Sequence, residues 1–297
     1  MLFGALEAGG TKMVMAVGDE NGRILEQHTL PTDTPTITLP KIIEYFENKN
    51  IEALGIGSFG PLNLDRKSKT YGYITSTPKL DWANYDIVGN IKRALNIPIG
   101  FDTDVNAAVL AEATWGSIKG LTSGIYITVG TGIGVGIYLN GCLLHGMLHP
   151  EAGHILLSKH PEDDFAGVCP YHPNCMEGLA SGPSIEKRFH KKAIELHSNS
   201  MAWEFEAYYL AQGIVNYILT LSPHKIVLGG GVMNQEQLFP KIRSQVTSLL
   251  KGYIQAPQLE DIEHYIVPSS LEGKQGIMGC IQLAKLRVAN NLTFTCI

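Results

Sequence analysis

The chain has 297 residues, of which 44% are hydrophobic, and it carries 23 basic against 28 acidic side chains. This length is sufficient for two domains that each have a core. The charge balance, without a long run of either sign, argues against a nucleic-acid-binding protein. No apolar stretch approaches the ~20 residues of a membrane span, and the N-terminal residues lack a signal-peptide pattern. We therefore expect a cytoplasmic protein with small-molecule partners, no nucleic acid and no membrane.

The first predicted elements are two apolar strands joined by a glycine turn in residues 2–18, followed by a hairpin turn at Asn21-Gly22 and a third strand. The same pattern returns in residues 123–144, again with an Asn-Gly turn, at Asn140-Gly141. A repeat at domain length indicates a duplicated domain rather than a solenoid.

Helices and buried strands alternate after each copy, which predicts an α/β fold with mixed sheets. The boundary between the halves is expected near 117–122, and the last helix is expected to pack back on the first half. Residues 158–175 are expected to form an irregular insertion. We predict helices at 36–49, 105–115, 201–220, 234–251 and 274–288, and further strands at 51–59, 97–103, 225–230 and 264–268.

Three glycine clusters stand at predicted strand ends. Glycine lets backbone N–H groups approach a phosphate, although each cluster could also be a plain tight turn. The Walker A pattern occurs nowhere, and the second cluster leads into a strand-like segment instead of the helix that a dinucleotide fingerprint requires. The clusters are Gly9-Gly10-Thr11-Lys12, Gly130-Thr131-Gly132-Ile133-Gly134 and Gly229-Gly230-Gly231-Val232.

Two aspartates, Asp102 and Asp104, end a predicted strand where the next helix begins. Asp104 could simply cap that helix. Alternatively, its carboxylate could accept a proton from a substrate hydroxyl in a phosphoryl transfer, and a helix N-terminus would keep it ionised.

Residues 154–175 contain a set of soft metal ligands. Cys169, His172 and Cys175 follow one another at three-residue spacing, and His154 lies upstream. Two thiolates and two imidazoles suit tetrahedral Zn²⁺, and four protein ligands leave no open position, so such a site is structural. Glu151 and Glu177 flank these ligands in sequence; they are either exposed loop charges or carboxylates that the metal site orients.

Eight motifs carry a resemblance that covers nearly the whole chain. EAGGTK, GIGSFGP, ITSTPKLDW, FDTDVNAA, VGTGIGVG, HPEAGH, CPYHPNCMEG and GGGVM occur in this order. Together they resemble the ROK family of sugar kinases and repressors, in particular its bacterial fructokinases.

The resemblance implies a duplicated actin-like ATPase domain, with ribonuclease H-like mixed sheets and flanking helices, in two lobes around a central cleft. The lobes are expected at 1–118 and 119–297, the second carrying a zinc insertion at about 150–178. The implied activity is ATP-dependent phosphorylation of the 6-hydroxyl of fructose, in a homodimer. Another hexose, or a non-catalytic sugar sensor, is the alternative. A DNA-binding repressor is not expected, because the first glycine strand begins at residue 2.

The resemblance also assigns roles to single residues. It implies Asp104 as the catalytic base, Mg²⁺ with ATP, and zinc held by His154, Cys169, His172 and Cys175, where most members have cysteine in place of His172. Glu7, where many relatives have Asp, is a candidate magnesium ligand through water, and Lys12 either contacts a phosphate or is solvated. The implied sugar contacts are Thr103, where relatives often have Asn, with Asp104, Glu151, His154 and Glu177; the implied nucleotide contacts are Gly9, Gly10, Thr11, Lys12, Gly130, Thr131, Gly132, Gly229, Gly230 and Gly231.

Overall fold

A computed structural model of the chain describes residues 1–196 and 200–289. The strands are β1 (Leu2–Ala8), β2 (Lys12–Asp19), β3 (Ile24–Pro31), β4 (Leu54–Ser58), β5 (Tyr73–Ile74), β6 (Tyr85–Asp86), β7 (Ile99–Thr103), β8 (Gly124–Val129), β9 (Ile133–Leu139), β10 (Cys142–Leu143), β11 (Ile226–Gly229) and β12 (Ile266–Pro268). The α-helices are α1 (Pro35–Glu47), α2 (Ile87–Leu95), α3 (Asp104–Thr114), α4 (Met176–Ala180), α5 (Gly182–Phe189), α6 (Ser200–Leu221), α7 (Leu238–Leu250), α8 (Pro257–Glu260), α9 (Ile262–Tyr265) and α10 (Gln275–Val288).

The first sheet has the strand order β3-β2-β1-β4-β7. Its first three strands form an antiparallel meander, and β4 and β7 add to it in parallel. The register aligns Ala8, Ser58 and Thr103 in one row across β1, β4 and β7. Since neighbouring strands lie ~4.8 Å apart, the first glycine turn and the start of α3 leave the same sheet edge about 10 Å from each other.

The second sheet has the order β10-β9-β8-β11-β12, which repeats the order of the first. Strand β11 runs parallel to β8 and β12, and Gly229 pairs with Thr128. The second and third glycine clusters therefore follow neighbouring strands at one edge. The duplicated meander predicted from the sequence is confirmed.

Helix α10 packs on the first sheet and on α3 through backbone contacts that side chains would prevent. A Cβ atom at Gly279 would lie 1.8 Å from the Ala107 carbonyl oxygen, and one at Gly55 would lie 1.8 Å from the Cys280 carbonyl oxygen. The helix thus approaches both α3 and β4 closely enough to bury the Cys280 thiol completely.

The chain divides into two compact units by its internal contacts. The first comprises residues 1–120, 136–150 and 271–297, and the second comprises residues 121–135 and 151–270. Most of the largest buried side chains of the first unit, among them Leu6, Phe46 and Trp82, form one apolar core. The division into lobes at 1–118 and 119–297 stays a prediction.

The long helices are predicted well from the sequence, and the short helices are not. Helices α1, α3, α6 and α10 agree with their predictions to within two residues, whereas α7 begins at Leu238, four residues later than expected, because residues 231–234 form a 3-10 turn. The sequence does not predict helices α2, α4, α5, α8 and α9. In the part of the chain that the structure describes, no helix combines the length and the apolar character needed to cross a membrane.

Candidate active site and metal centre

Asp104 is the first residue of α3 and is half-buried. The preceding residue, Thr103, caps the helix, because its Oγ1 accepts a hydrogen bond of 3.1 Å from the Asn106 amide. The Asp104 carboxylate accepts a bond of 2.8 Å from the adjacent Val105 amide. The interpretation of Asp104 as the helix cap is therefore wrong, and its carboxylate lies at the positive end of the helix dipole.

Asp102 is buried directly below this turn, with 4% of its surface exposed. Its Oδ1 accepts hydrogen bonds from the Thr103 amide (2.8 Å) and from Asn106 Nδ2 (2.7 Å). Its Oδ2 lies 2.9 Å from His145 Nε2. The sequence analysis assigns a role only to Asp104 of the two aspartates, and it does not find His145, which lies 43 residues from Asp102 and carries no local signal.

Glu7 and Asp104 lie in the same neighbourhood of the first unit. Burial raises the pKa of the Cys280 thiol well above its usual value, and the charges of Glu7 and Asp104 raise it further. Burial also raises the pKa of Glu7, which the nearby Lys12 partly offsets. The Glu7 carboxylate lies against Gly276 in the first turn of α10, since a Cβ there would be 2.5 Å from Glu7 Oε1.

The first glycine turn is held by hydrogen bonds within the chain. The Gly9 amide donates to the Lys12 carbonyl (3.0 Å), and the Thr32 hydroxyl donates to the Gly9 carbonyl (2.7 Å). The side chains of Thr11 and Lys12 are exposed. The turn therefore has a fixed backbone and presents a hydroxyl and a positive charge to solvent.

The second and third glycine clusters lie together in the second unit. Gly230 has φ +90°, and a Cβ there would be 2.4 Å from the Val129 carbonyl oxygen. The Gly182 amide, at the start of α5, donates to the Gly130 carbonyl at 2.7 Å. Apart from the chain neighbours, no atom of the described residues approaches the Cβ positions of Gly130 and Gly231 within 4 Å, so each has open space for a ligand.

The four predicted metal ligands meet in one cluster of the second unit. Cys175 Sγ lies 3.5 Å from His154 Nδ1, and Cys169 Sγ lies 3.8 Å from His154 Nδ1 and 3.9 Å from His172 Nδ1. All four ligand atoms lie within 4.8 Å of one another. Ligands at tetrahedral Zn²⁺ are about 3.4 to 3.8 Å apart, so this donor set fits such an ion after small side-chain movements.

Glu177 and Glu151 lie beside this cluster. Glu177 Oε1 is 3.9 Å from His154 Nε2, and its Oε2 accepts a hydrogen bond of 3.0 Å from the Ile133 amide. Although Glu151 is exposed on one side, protein atoms crowd its carboxyl group, and this burial and the charge of Glu177 raise its pKa to about 7. The metal ligands and both predicted sugar-binding glutamates are thus brought together, and Glu177 also contacts the second glycine cluster.

A buried ion pair, also missed by sequence reasoning, anchors the insertion. Arg188 Nη2 lies 3.2 Å from Asp163 Oδ2 and donates to the Leu179 carbonyl at 2.8 Å. The Tyr209 hydroxyl donates to the same Asp163 oxygen, and the Arg188 guanidinium lies 4.5 Å from the centre of the Phe165 ring. These contacts hold the insertion against α4 and α6 without using a metal ligand.

Known proteins resemble the chain along nearly its whole length. A model of the ROK family matches residues 3–287. A protein of Bacillus subtilis, provisionally named a fructokinase, is 50% identical over 284 residues, which cover 95% of each chain. A fructokinase of Pediococcus pentosaceus is 43% identical over 290 residues, covering 98% of this chain and 100% of the relative. The crystal structure of a ROK hexokinase from Thermus thermophilus superimposes with a TM-score of 0.78 at 27% identity, covering 98% and 100% of the two chains.

Proposed function

The chain belongs to the ROK family, and on this basis we propose that it is an ATP-dependent fructokinase. It transfers the γ-phosphoryl group of ATP to the 6-hydroxyl of D-fructose and releases fructose 6-phosphate and ADP. The observation that carries the proposal is the 43% identity to a fructokinase over essentially the full length of both chains.

Asp104 is the general base in this proposal. Phosphoryl transfer requires a carboxylate that accepts the proton of the attacking hydroxyl and aligns its oxygen with the γ-phosphorus. Two features of the site support this role: the half-buried position of Asp104 in the first turn of α3, and the helix dipole, which favours its ionised form.

The glycine clusters hold the nucleotide. Their backbone amides are suited to phosphate oxygens, and Thr11 and Thr131, both exposed, each add a hydroxyl donor. Mg²⁺, when bound with ATP, neutralises charge on the β- and γ-phosphate oxygens. Glu7, the carboxylate nearest to the first turn in sequence, would hold this ion. The proposed nucleotide contacts are Gly9, Gly10, Thr11, Lys12, Gly130, Thr131, Gly132, Gly229, Gly230 and Gly231.

The sugar is bound by carboxylates and hydrogen-bonding side chains. Glu151 and Glu177 accept hydrogen bonds from sugar hydroxyls, and His154 and Thr103 complete the contacts with Asp104. The Thr103 hydroxyl already accepts a bond from Asn106, but a hydroxyl that accepts can still donate its own proton.

A structural zinc ion is held by His154, Cys169, His172 and Cys175. Burial raises the pKa of the Cys175 thiol to about 11, and coordination to zinc would keep this thiol deprotonated. Elemental analysis of purified protein should give one zinc ion per chain, and replacement of Cys169 and Cys175 by serine should abolish it. A wild-type protein purified without zinc and unable to bind it would exclude this site.

The sugar assignment is tested with the purified protein, Mg·ATP and a panel of fructose, glucose, mannose and N-acyl hexosamines. Fructose should give the highest kcat/KM. A clearly higher kcat/KM for another hexose would refute the fructose assignment but keep a sugar kinase, and sugar binding without turnover would indicate a sensor. The proposed homodimer is tested by light scattering of the same sample, which should give twice the mass of 32.4 kDa.

A further inference from the structure

We propose that the ion pair of Asp102 and His145 is a positioning device that fixes the backbone carrying the catalytic base. The inference rests on the proposed function only in naming Asp104 as that base. Neither residue touches the reacting atoms in this proposal. They act through the β7–α3 turn.

Asp102 accepts hydrogen bonds from residues on both sides of the base in the sequence. Its Oδ1 binds the amide of Thr103, the residue before Asp104, and the side-chain amide of Asn106, two residues after it. The Asn106 backbone amide also donates a hydrogen bond to the Thr103 hydroxyl. These three bonds leave the backbone of Asp104 little freedom, so the orientation of Asp102 determines where the base points.

His145 determines that orientation. The Asp102 side chain is 5% exposed and that of His145 15%, so water competes weakly for their bond of 2.9 Å. If His145 is removed, Oδ2 is left buried without this partner, and the carboxyl group gains by turning towards water. Such a rotation would break the bonds to Thr103 and Asn106.

A displacement of His145 would be transmitted to Asp102 through their hydrogen bond. It lies on the wall of a cleft of about 530 Å³ within the first unit, which Tyr71, Arg66 and Lys67 also line. In the same segment, His149 Nε2 accepts a hydrogen bond of 3.0 Å from the Leu62 amide, so the segment has a second anchor that does not involve Asp102. Loss of His145 should therefore release Asp102 without releasing the whole segment.

The test compares His145→Ala, which removes the donor, with His145→Gln, which keeps an N–H donor without the charge. Met147→Ala is the matched control, because Met147 lies in the same segment with 96% of its surface exposed. For His145→Ala we expect kcat to fall roughly 10- to 100-fold, as for a slightly misplaced catalytic group, with less than about a threefold change in either KM. His145→Gln should recover most of the loss, and Met147→Ala should match the wild type.

A second readout needs no substrate. Hydrogen exchange of the free protein should be faster at the Thr103 and Asn106 amides in His145→Ala, but unchanged in the strands β1 and β8. Unchanged kcat in His145→Ala, or equal losses in the Ala and Gln variants with exchange accelerated throughout the protein, would overturn the proposal. If the wild type does not phosphorylate fructose, the proposed function fails, whereas the exchange result still decides whether the pair fixes the turn.

Discussion

The Ile133 amide donates a hydrogen bond of 3.0 Å to Glu177 Oε2. Glu177 follows the proposed metal ligand Cys175 by two residues, and Ile133 belongs to the second glycine cluster. A carboxylate that was expected to bind only sugar therefore also connects the metal cluster with a turn that is proposed to bind phosphate.

Replacement of Glu177 should consequently weaken nucleotide binding as well as sugar binding. Glu177→Ala removes an acceptor that is charged, and we expect about a tenfold increase in the Kd for ADP measured by calorimetry. Glu177→Gln keeps an oxygen that can accept from Ile133, so its ADP affinity should stay near that of the wild type. Wild-type ADP affinity in the alanine variant would contradict this connection.

Removal of the proposed metal should weaken sugar binding more than nucleotide binding. If the proposed zinc ion orients Glu151 and Glu177 through its ligands, chelation should lower fructose affinity roughly 10- to 100-fold, with a smaller loss for ADP. Binding of each ligand is measured before and after treatment, and added zinc should restore both. Unchanged fructose affinity of the metal-free protein would show that the metal does not orient the sugar site.

Asp104→Asn removes the proton acceptor but keeps the size of the side chain. We expect kcat to fall by roughly 10² to 10⁴, while fructose still binds. Asp261→Asn is the control, since Asp261 is exposed between α8 and α9 and is not part of the proposed site. Turnover close to that of the wild type in Asp104→Asn would exclude this residue as the base.

Alanine substitutions at Gly230 and Gly231 test two different effects of an added methyl group, a clash within the fold and obstruction of a bound nucleotide. Gly230→Ala combines a positive φ with a clash against the Val129 backbone, and it should cost roughly 1 to 3 kcal/mol of unfolding free energy. Gly231→Ala meets no atom within 4 Å, so the fold should keep its stability while the methyl group obstructs a bound nucleotide. Denaturant unfolding and ADP titration test the pair. Full ADP affinity in Gly231→Ala would remove this cluster from the nucleotide site.

The contribution of His145 to the unfolding free energy should decrease as pH rises. Burial lowers the pKa of His145, but the hydrogen bond and the charge of Asp102 outweigh it, so the pKa lies above the ordinary value of 6.5. A group whose pKa is higher in the folded than in the unfolded state contributes its full stabilisation of the fold below the unfolded-state pKa. This contribution is lost as pH rises through the folded-state pKa.

The wild type should therefore exceed His145→Gln in unfolding free energy by the largest amount below about pH 6, and this difference should shrink at alkaline pH. Urea unfolding of both proteins at several pH values measures it. His149 is present in both proteins; burial lowers its pKa, and the charge of His145 lowers it further, so the comparison measures the net effect of removing that charge. A difference that grows with pH would show that the pair forms with neutral His145.

The sequence predicts the parts of the site whose residues are close together in the chain. The spacing of Cys169, His172 and Cys175 already defines a metal ligand set, and the strand–aspartate–helix pattern places Asp104 at a helix start. The bonds between Asp102 and His145 and between Glu177 and Ile133 join residues more than 40 positions apart, so no local pattern contains them.

Some of the unpredicted structure did have a local signal. Helix α2 follows Asp86, which caps it by accepting a hydrogen bond from the Gly89 amide, and Lys92 and Arg93 lie in its last turn. These are ordinary start and stop signals of a helix. Helix α5 also has such signals, since Pro183 lies in its first turn and Lys187 and Arg188 lie in its last turn.

The position of α10 in the chain has a consequence for biosynthesis. The first unit takes its sheet from residues before 104, but α10, which packs on Gly55 and Ala107, is made much later. All residues of the second unit precede α10. During translation the second unit can therefore fold before α10 is available to the first unit, and the apolar sheet face that this helix covers stays exposed to aggregation until then.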